Sequence, residues 1–108
     1  MEEQEFKKRC EDALATLHRE LTGAADDYGF ETNFSSGAIT VRFEDPPAKF
    51  VISPNAPSRQ VRISAFGKTY KLDWDIVENT FVSSDSGQSL KQLMEQFISK
   101  QLKEEVNL

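Results

Sequence analysis

The side chains with the densest chemical potential are carboxylates. Glu20, Asp26, Asp27 and Glu31 crowd the end of the first amphipathic segment, and Glu11 and Asp12 lie upstream on the same segment. Carboxylates on an exposed edge offer oxygen ligands suited to hard or borderline cations such as iron. They do not enclose an ion, so such a site is weak and its coordination incomplete. Other chemistry is sparse. His18 is the only histidine and Cys10 the only cysteine, so neither has companions for a metal-ligand set or a disulfide. Cys10 falls on an apolar stripe, where burial leaves a thiol inert. Glycine-rich phosphate loops, nucleophile elbows and zinc signatures are missing from the sequence.

Charge is distributed unevenly. Residues 1–31 hold nine acids and four bases, whereas residues 32–108 balance to zero and their 42–71 stretch carries six bases against two acids. An acidic first element and a basic middle can steer partners and ions. The bases are not interleaved with exposed aromatics and the net charge is −5, which argues against a nucleic-acid partner. The apolar runs are too short to cross a membrane. The acidic start Met1-Glu2-Glu3-Gln4-Glu5 resembles neither a secretory signal nor a transit peptide, so a reducing, cytoplasmic setting is expected.

These residues need positioning elements. Phe6, Cys10, Ala13, Leu14, Leu17 and Leu21 step by three and four, which predicts a helix over 4–22 ending at Gly23. From residue 30 the period becomes two. Phe30/Thr32/Phe34 and Ile39/Val41/Phe43 predict two strands around a Ser35-Ser36-Gly37 turn. Asp45-Pro46-Pro47 should break the second strand, because proline cannot donate to a ladder. Phe50 and Ile52 mark a third strand, followed by a proline-bracketed loop at 54–57. Val61/Ile63/Ala65 and Tyr70/Leu72/Trp74 predict two more strands about a Gly67-Lys68 turn, and Phe81-Val82 a short sixth. Ser89-Leu90-Lys91-Gln92 reads as a capping box opening a second helix, with Leu90, Leu93, Met94, Phe97, Ile98 and Leu102 as its stripe.

Such short connections require antiparallel strands. One sheet face is apolar and each helix has one apolar stripe. The expected fold is a single α+β domain over 1–108: a two-layer sandwich with both helices on one face of a five- or six-stranded antiparallel sheet. The other face stays wet and displays Thr40, Arg42, Lys49, Gln60, Arg62, Ser64, Thr69 and Lys71.

Four segments resemble the frataxin family. Val51-Ile52-Ser53-Pro54-Asn55-Ala56-Pro57-Ser58-Arg59-Gln60-Val61-Arg62-Ile63-Ser64 is similar to its core signature, in which an Asn–Pro loop leads to a glutamine opening an outward-facing strand. Tyr70-Lys71-Leu72-Asp73-Trp74 resembles its Asp–Trp strand. Asp85-Ser86-Gly87-Gln88-Ser89-Leu90 resembles the start of its second helix, and Ser36-Gly37-Ala38-Ile39-Thr40-Val41 an earlier strand. The resemblance implies a non-enzymatic monomer acting in iron–sulfur cluster assembly, as a docking regulator or iron chaperone. It implies weak, reversible binding of ferrous and ferric iron at Glu11, Asp12, Glu20, Asp26, Asp27 and Glu31. It implies a cysteine desulfurase and an iron–sulfur scaffold protein as partners, contacted through that ridge and through Asn55, Gln60, Arg62 and Lys71. Trp74 then stands where the family has a packing tryptophan. Arg62 stands where the family has an exposed tryptophan, an aromatic anchor of the kind that often dominates interface energy. Lys7, Lys8, Arg9 and Arg19 interrupt the acidity of the first helix.

Two rival readings remain at this point. A small acidic chaperone would share the size and charge but would dimerise through an apolar surface. An enzyme oxidising iron at the ridge would lack the His and Glu pairs that build an enclosed di-iron site.

Overall fold

The computed structural model describes residues 1–44 and 46–108. Helix α1 (Glu3–Tyr28) precedes six strands, β1 (Glu31–Ser35), β2 (Ala38–Glu44), β3 (Pro47–Asn55), β4 (Gln60–Ala65), β5 (Lys68–Asp75) and β6 (Thr80–Ser83), and α2 (Leu90–Leu102) follows. The strands form one antiparallel sheet in chain order, β1 to β6. Both helices bury their stripes on one face, as expected. Phe6, Cys10, Leu14, Leu17 and Leu21 of α1 and Leu90, Leu93, Met94, Phe97 and Ile98 of α2 close over Ile39, Val41, Phe50, Ile52, Val61, Ile63 and Leu72.

Three expectations are corrected. Gly23 does not end α1. The stripe continues through buried Ala24 and half-buried Tyr28, and the helix stops at Gly29, whose φ of 74° is the left-handed cap that glycine adopts without strain. Asp26 and Asp27 therefore belong to the last helical turn rather than to a loop. Gly23 is exposed and a Cβ there would meet nothing within 4 Å. Gly23→Ala should stabilise the protein by about 0.5–1 kcal/mol, because alanine loses less backbone entropy in a helix. A thermal melt reads this as a midpoint raised by a few degrees, and an unchanged or lowered midpoint counts against it.

The second correction concerns β3, which includes both Pro47 and Pro54. Pro47 is its first residue. Pro54 pairs with Val61 of β4 but lies beyond Ile52, the last β3 residue paired with β2, so its missing N–H deprives no ladder. The expected break at Asp45-Pro46-Pro47 is reduced to a two-residue connection, of which Asp45 lies outside the described residues. Third, the β4–β5 turn is Phe66-Gly67, not Gly67-Lys68. Both residues have positive φ, 53° and 74°, as a two-residue hairpin turn requires. Lys68 is already paired with Ala65.

The second helix matches its expectation closely. Ser89 Oγ accepts from the Gln92 N–H at 3.2 Å, and Gln92 Oε1 accepts from the Ser89 N–H at 2.9 Å. Its far end is tied to the sheet by buried Gln101, whose Nε2 donates to the Pro46 carbonyl at 2.8 Å. The tail folds back onto α2. Val106 is buried with its N–H on Ser99 Oγ at 2.9 Å, and the Leu108 N–H reaches Glu95 Oε2 at 2.8 Å. Among the described residues, no helix is long and apolar enough to cross a membrane.

Candidate functional site

The wet sheet face gathers all four residues expected to contact a partner. Asn55 pairs with Gln60 across β3–β4, Gln60 with Asp73 across β4–β5, and Arg62 with Lys71 in the next row. Side-chain bonds lock part of this patch. Gln60 Nε2 donates to Asp73 Oδ1 at 3.1 Å. With its amide oxygen turned toward β4, Asn55 accepts from Arg62 Nε at 3.1 Å and Nη2 at 2.7 Å, and from Ser58 Oγ at 2.6 Å. Arg62 is thus held by an uncharged acceptor, and its positive charge is left exposed beside that of Lys71. Directly opposed like charges destabilise a sheet. Arg42 also faces Lys49 across β2–β3, but it has Glu31 opposite it on the β1 side, so that row is partly neutralised. Arg62 and Lys71 are the pair that gives the face its exposed basic character.

Asp73 was not singled out from the sequence, although the turn could have found it. A hairpin turn at Phe66-Gly67 sets a register in which Gln60 must face Asp73 and Arg62 must face Lys71. Placing the turn one residue later shifts that register by two.

The six acidic residues are spread over three regions. Glu11 and Glu20 are nine residues apart in α1, two and a half turns, so they leave opposite flanks of the helix. Glu11 and Asp26 are about 22 Å apart along the axis at 1.5 Å per residue. Glu20 is engaged with Lys91 of α2, Oε2 to Nζ 3.1 Å. Asp12 and Glu20 line a cleft of about 450 Å³ between the helices, together with Arg9 and Trp74. The Arg9 guanidinium lies 4.7 Å from the centroid of the Trp74 ring, and Trp74 packs edge-on against Phe81 at 5.2 Å. Trp74 is accordingly a half-buried packing residue. Asp26 and Glu31 share a different groove, of about 620 Å³, that passes from His18 on α1 around the β1 edge to Arg42. Asp27 is exposed on the last turn of α1. Among the described residues, no three Asp, Glu, His or Cys side chains converge on a point that could hold a metal ion.

Asp26 and Asp27 sit at the negative end of the helix dipole, and the last turn of α1 carries no basic residue. Each such acid is unfavourable by roughly 0.3–1 kcal/mol at an exposed terminus. A cation or a basic partner surface would relieve that repulsion.

Cys10 is 3% exposed under α1. Burial, with a smaller contribution from the Glu11 charge, pushes its thiol up to about 12. The folded state therefore keeps a proton that the unfolded chain releases above about pH 9. The resulting stability is fully present below that pH and is lost as the pH rises toward 12. At pH 8 the native protein should react with an aromatic disulfide reagent roughly a hundredfold or more slower than the denatured chain. Equal rates would place the thiol in solvent.

The frataxin-like domain family matches residues 1–104. The mitochondrial frataxin homolog of Drosophila melanogaster is 30% identical over 96 residues, an alignment covering 85% of this chain and 50% of that protein. The chain thus spans about half the length of this relative. A frataxin from Psychromonas ingrahamii, studied for stability modulation within the CyaY family, superposes with a TM-score of 0.76 over 99% of this chain and 97% of its own, at 20% identity. That likeness speaks to the fold: two helices on one face of a six-stranded antiparallel sheet. The chain belongs to the frataxin-like domain family.

Proposed function

We infer that this protein is a non-catalytic docking regulator of iron–sulfur cluster assembly in the cytoplasm. It binds a cysteine desulfurase and a scaffold protein as a monomer and carries weakly held iron as cargo. The observation that carries this reading is the continuity of two polar surfaces. The groove holding Asp26 and Glu31 turns around the β1 edge to Arg42 on the wet face, which also bears Asn55, Gln60, Arg62 and Lys71. A partner gripping that edge meets carboxylates on one side and bases on the other. The uncompensated acids at the end of α1 and the opposed Arg62 and Lys71 on the sheet are each unfavourable in the free protein, and each favours a partner of opposite charge.

Iron would be held by carboxylates acting singly or in pairs, since the six candidates do not converge. Such contacts are weak and exchange readily, which suits cargo handed to another protein.

The test is a desulfurase titration at low salt with the Asp26→Lys/Asp27→Lys/Glu31→Lys variant. Affinity should fall about fivefold, or ~1 kcal/mol, and the difference should shrink as salt screens it. An unchanged affinity at low salt would remove the acidic edge from the interface. Anaerobic ferrous titration of the native protein, followed by amide NMR with calcium as control, should broaden signals between Glu11 and Glu31. A spectrum unchanged at millimolar iron would remove the cargo role.

A further inference from the structure

We propose that the pocket between α1 and the β1–β2 turn is a socket for one large apolar side chain carried on a basic segment of a partner protein. The proposal rests on the reading of the protein as a docking regulator and adds a second contact on the N-terminal half of α1, apart from the groove at Asp26 and Glu31. The pocket encloses about 330 Å³, the small end of the range in which ligand sites occur. Phe6, Cys10 and Leu14 form its floor, and Phe34, Pro54 and Ala56 its walls. The floor is buried and carries only a protonated thiol as a polar group. Burial of an apolar side chain there gains about 25 cal/mol per Å² removed from water, and nothing inside asks for a hydrogen bond.

Polarity is confined to the rim, and it is ionic. Glu3, Lys7 and Glu11 follow one another at four-residue intervals along α1. Two carboxylates flank one ammonium, on a helix whose first turn is acidic. The mouth is thus negative, which favours a basic segment and disfavours fatty acids and other anionic amphiphiles. A second copy of this chain is a poor occupant for the same reason. Its most exposed aliphatic side chains, Ile76 and Val77 at 85% and 87%, stand on the β5–β6 turn between Asp75 and Glu78. Asp75 Oδ1 accepts from the Val77 and Glu78 N–H groups at 2.9 and 3.1 Å, so this tip is fixed with acids on both sides. Bringing it to the rim would set carboxylates against carboxylates.

The experiment uses the full chain and three synthetic 12-residue peptides: a lysine-rich peptide with one central Trp, the same peptide with Ala at that position, and a glutamate-rich peptide keeping the Trp. Amide NMR at low salt should show the lysine–Trp peptide shifting Cys10, Phe34 and Ala56, and each control binding at least tenfold more weakly. Ala56→Trp, which fills the wall from its solvent side, should abolish these shifts. Equal binding of the lysine–Ala peptide would reduce the effect to charge and overturn the socket. Equal binding of the glutamate–Trp peptide would overturn the basic partner, as would a dimer in sedimentation that Ala56→Trp dissolves. Absence of binding by all three peptides would also overturn it. Desulfurase separates this idea from the functional reading. Equal affinity for the native protein and Ala56→Trp sinks the socket alone, whereas no affinity for the native protein sinks the docking role.

Discussion

Phe50→Ala should lower the thermal midpoint by on the order of 20 °C. Phe50 is 1% exposed at the centre of β3. Its ring meets Phe43 at 5.1 Å, Phe66 at 5.1 Å and Phe97 at 6.3 Å, all edge-on. It therefore joins the second strand, the β4–β5 turn and α2. Truncating a buried phenylalanine costs about 3–5 kcal/mol through lost transfer energy and the cavity left behind. Small domains hold only about 5–15 kcal/mol in total, and each kcal/mol moves the midpoint of a domain this size by about 4–8 °C. Circular dichroism melts measure the effect. A fall of less than 5 °C would mean that neighbouring rings collapse into the space. Phe66 is the neighbour best placed to do so, because it is partly exposed and holds a positive φ unusual for a bulky residue.

The second large effect combines opposite signs in one variant. Lys71→Glu should raise stability by about 0.5 kcal/mol while weakening scaffold binding about thirtyfold. In the native protein Lys71 faces Arg62 across β4–β5. A glutamate there replaces a repulsive cross-strand pair by an attractive one, and pairs of this kind are worth roughly 0.2–1 kcal/mol. The same change reverses a positive charge in the sheet patch of Asn55, Gln60, Arg62 and Lys71, through which we propose that the scaffold protein binds, a loss of about 2 kcal/mol in binding. Calorimetry of the free protein and titration with the scaffold protein read the two halves separately. A destabilised variant would show that Lys71 serves the sheet, and undiminished binding would move the contact elsewhere.

Much of this architecture was legible because side-chain period is a local property. Alternation at Ile39/Val41/Phe43 and Val61/Ile63/Ala65 fixed strand faces, and Ser89 with Gln92 fixed the start of α2. Boundaries were less legible where two residues competed for one role. Gly23 and Gly29 both look like helix stops, and only the second reaches the left-handed conformation. Pro54 looks like a strand breaker until the end of the β2–β3 ladder is known. The candidate site was legible as a set of residue types but not as an arrangement. The contiguity of Asn55, Gln60, Arg62 and Lys71 depends on register across three strands. The engagement of Glu20 by Lys91 depends on how two helices lie side by side, and no period within either helix encodes it. The apolar socket combines residues from α1, β1 and the far end of β3, so it exists only after packing.

The order of the strands has a consequence for how the chain reaches its native state. Every strand pairs with its neighbour in sequence, across connections of two or four residues. Closing so short a loop sacrifices little chain entropy, so the sheet can assemble hairpin by hairpin without waiting for a remote segment. Only the docking of α1 and α2 spans the length of the sequence. Pairing between sequence neighbours keeps the sheet's own contacts local, which favours faster pairing, and fast pairing shortens the time for which bare strand edges are open to other chains. For a protein whose native surface keeps like charges side by side, rapid collapse onto one topology is a safeguard against aggregation that thermodynamic stability alone does not provide.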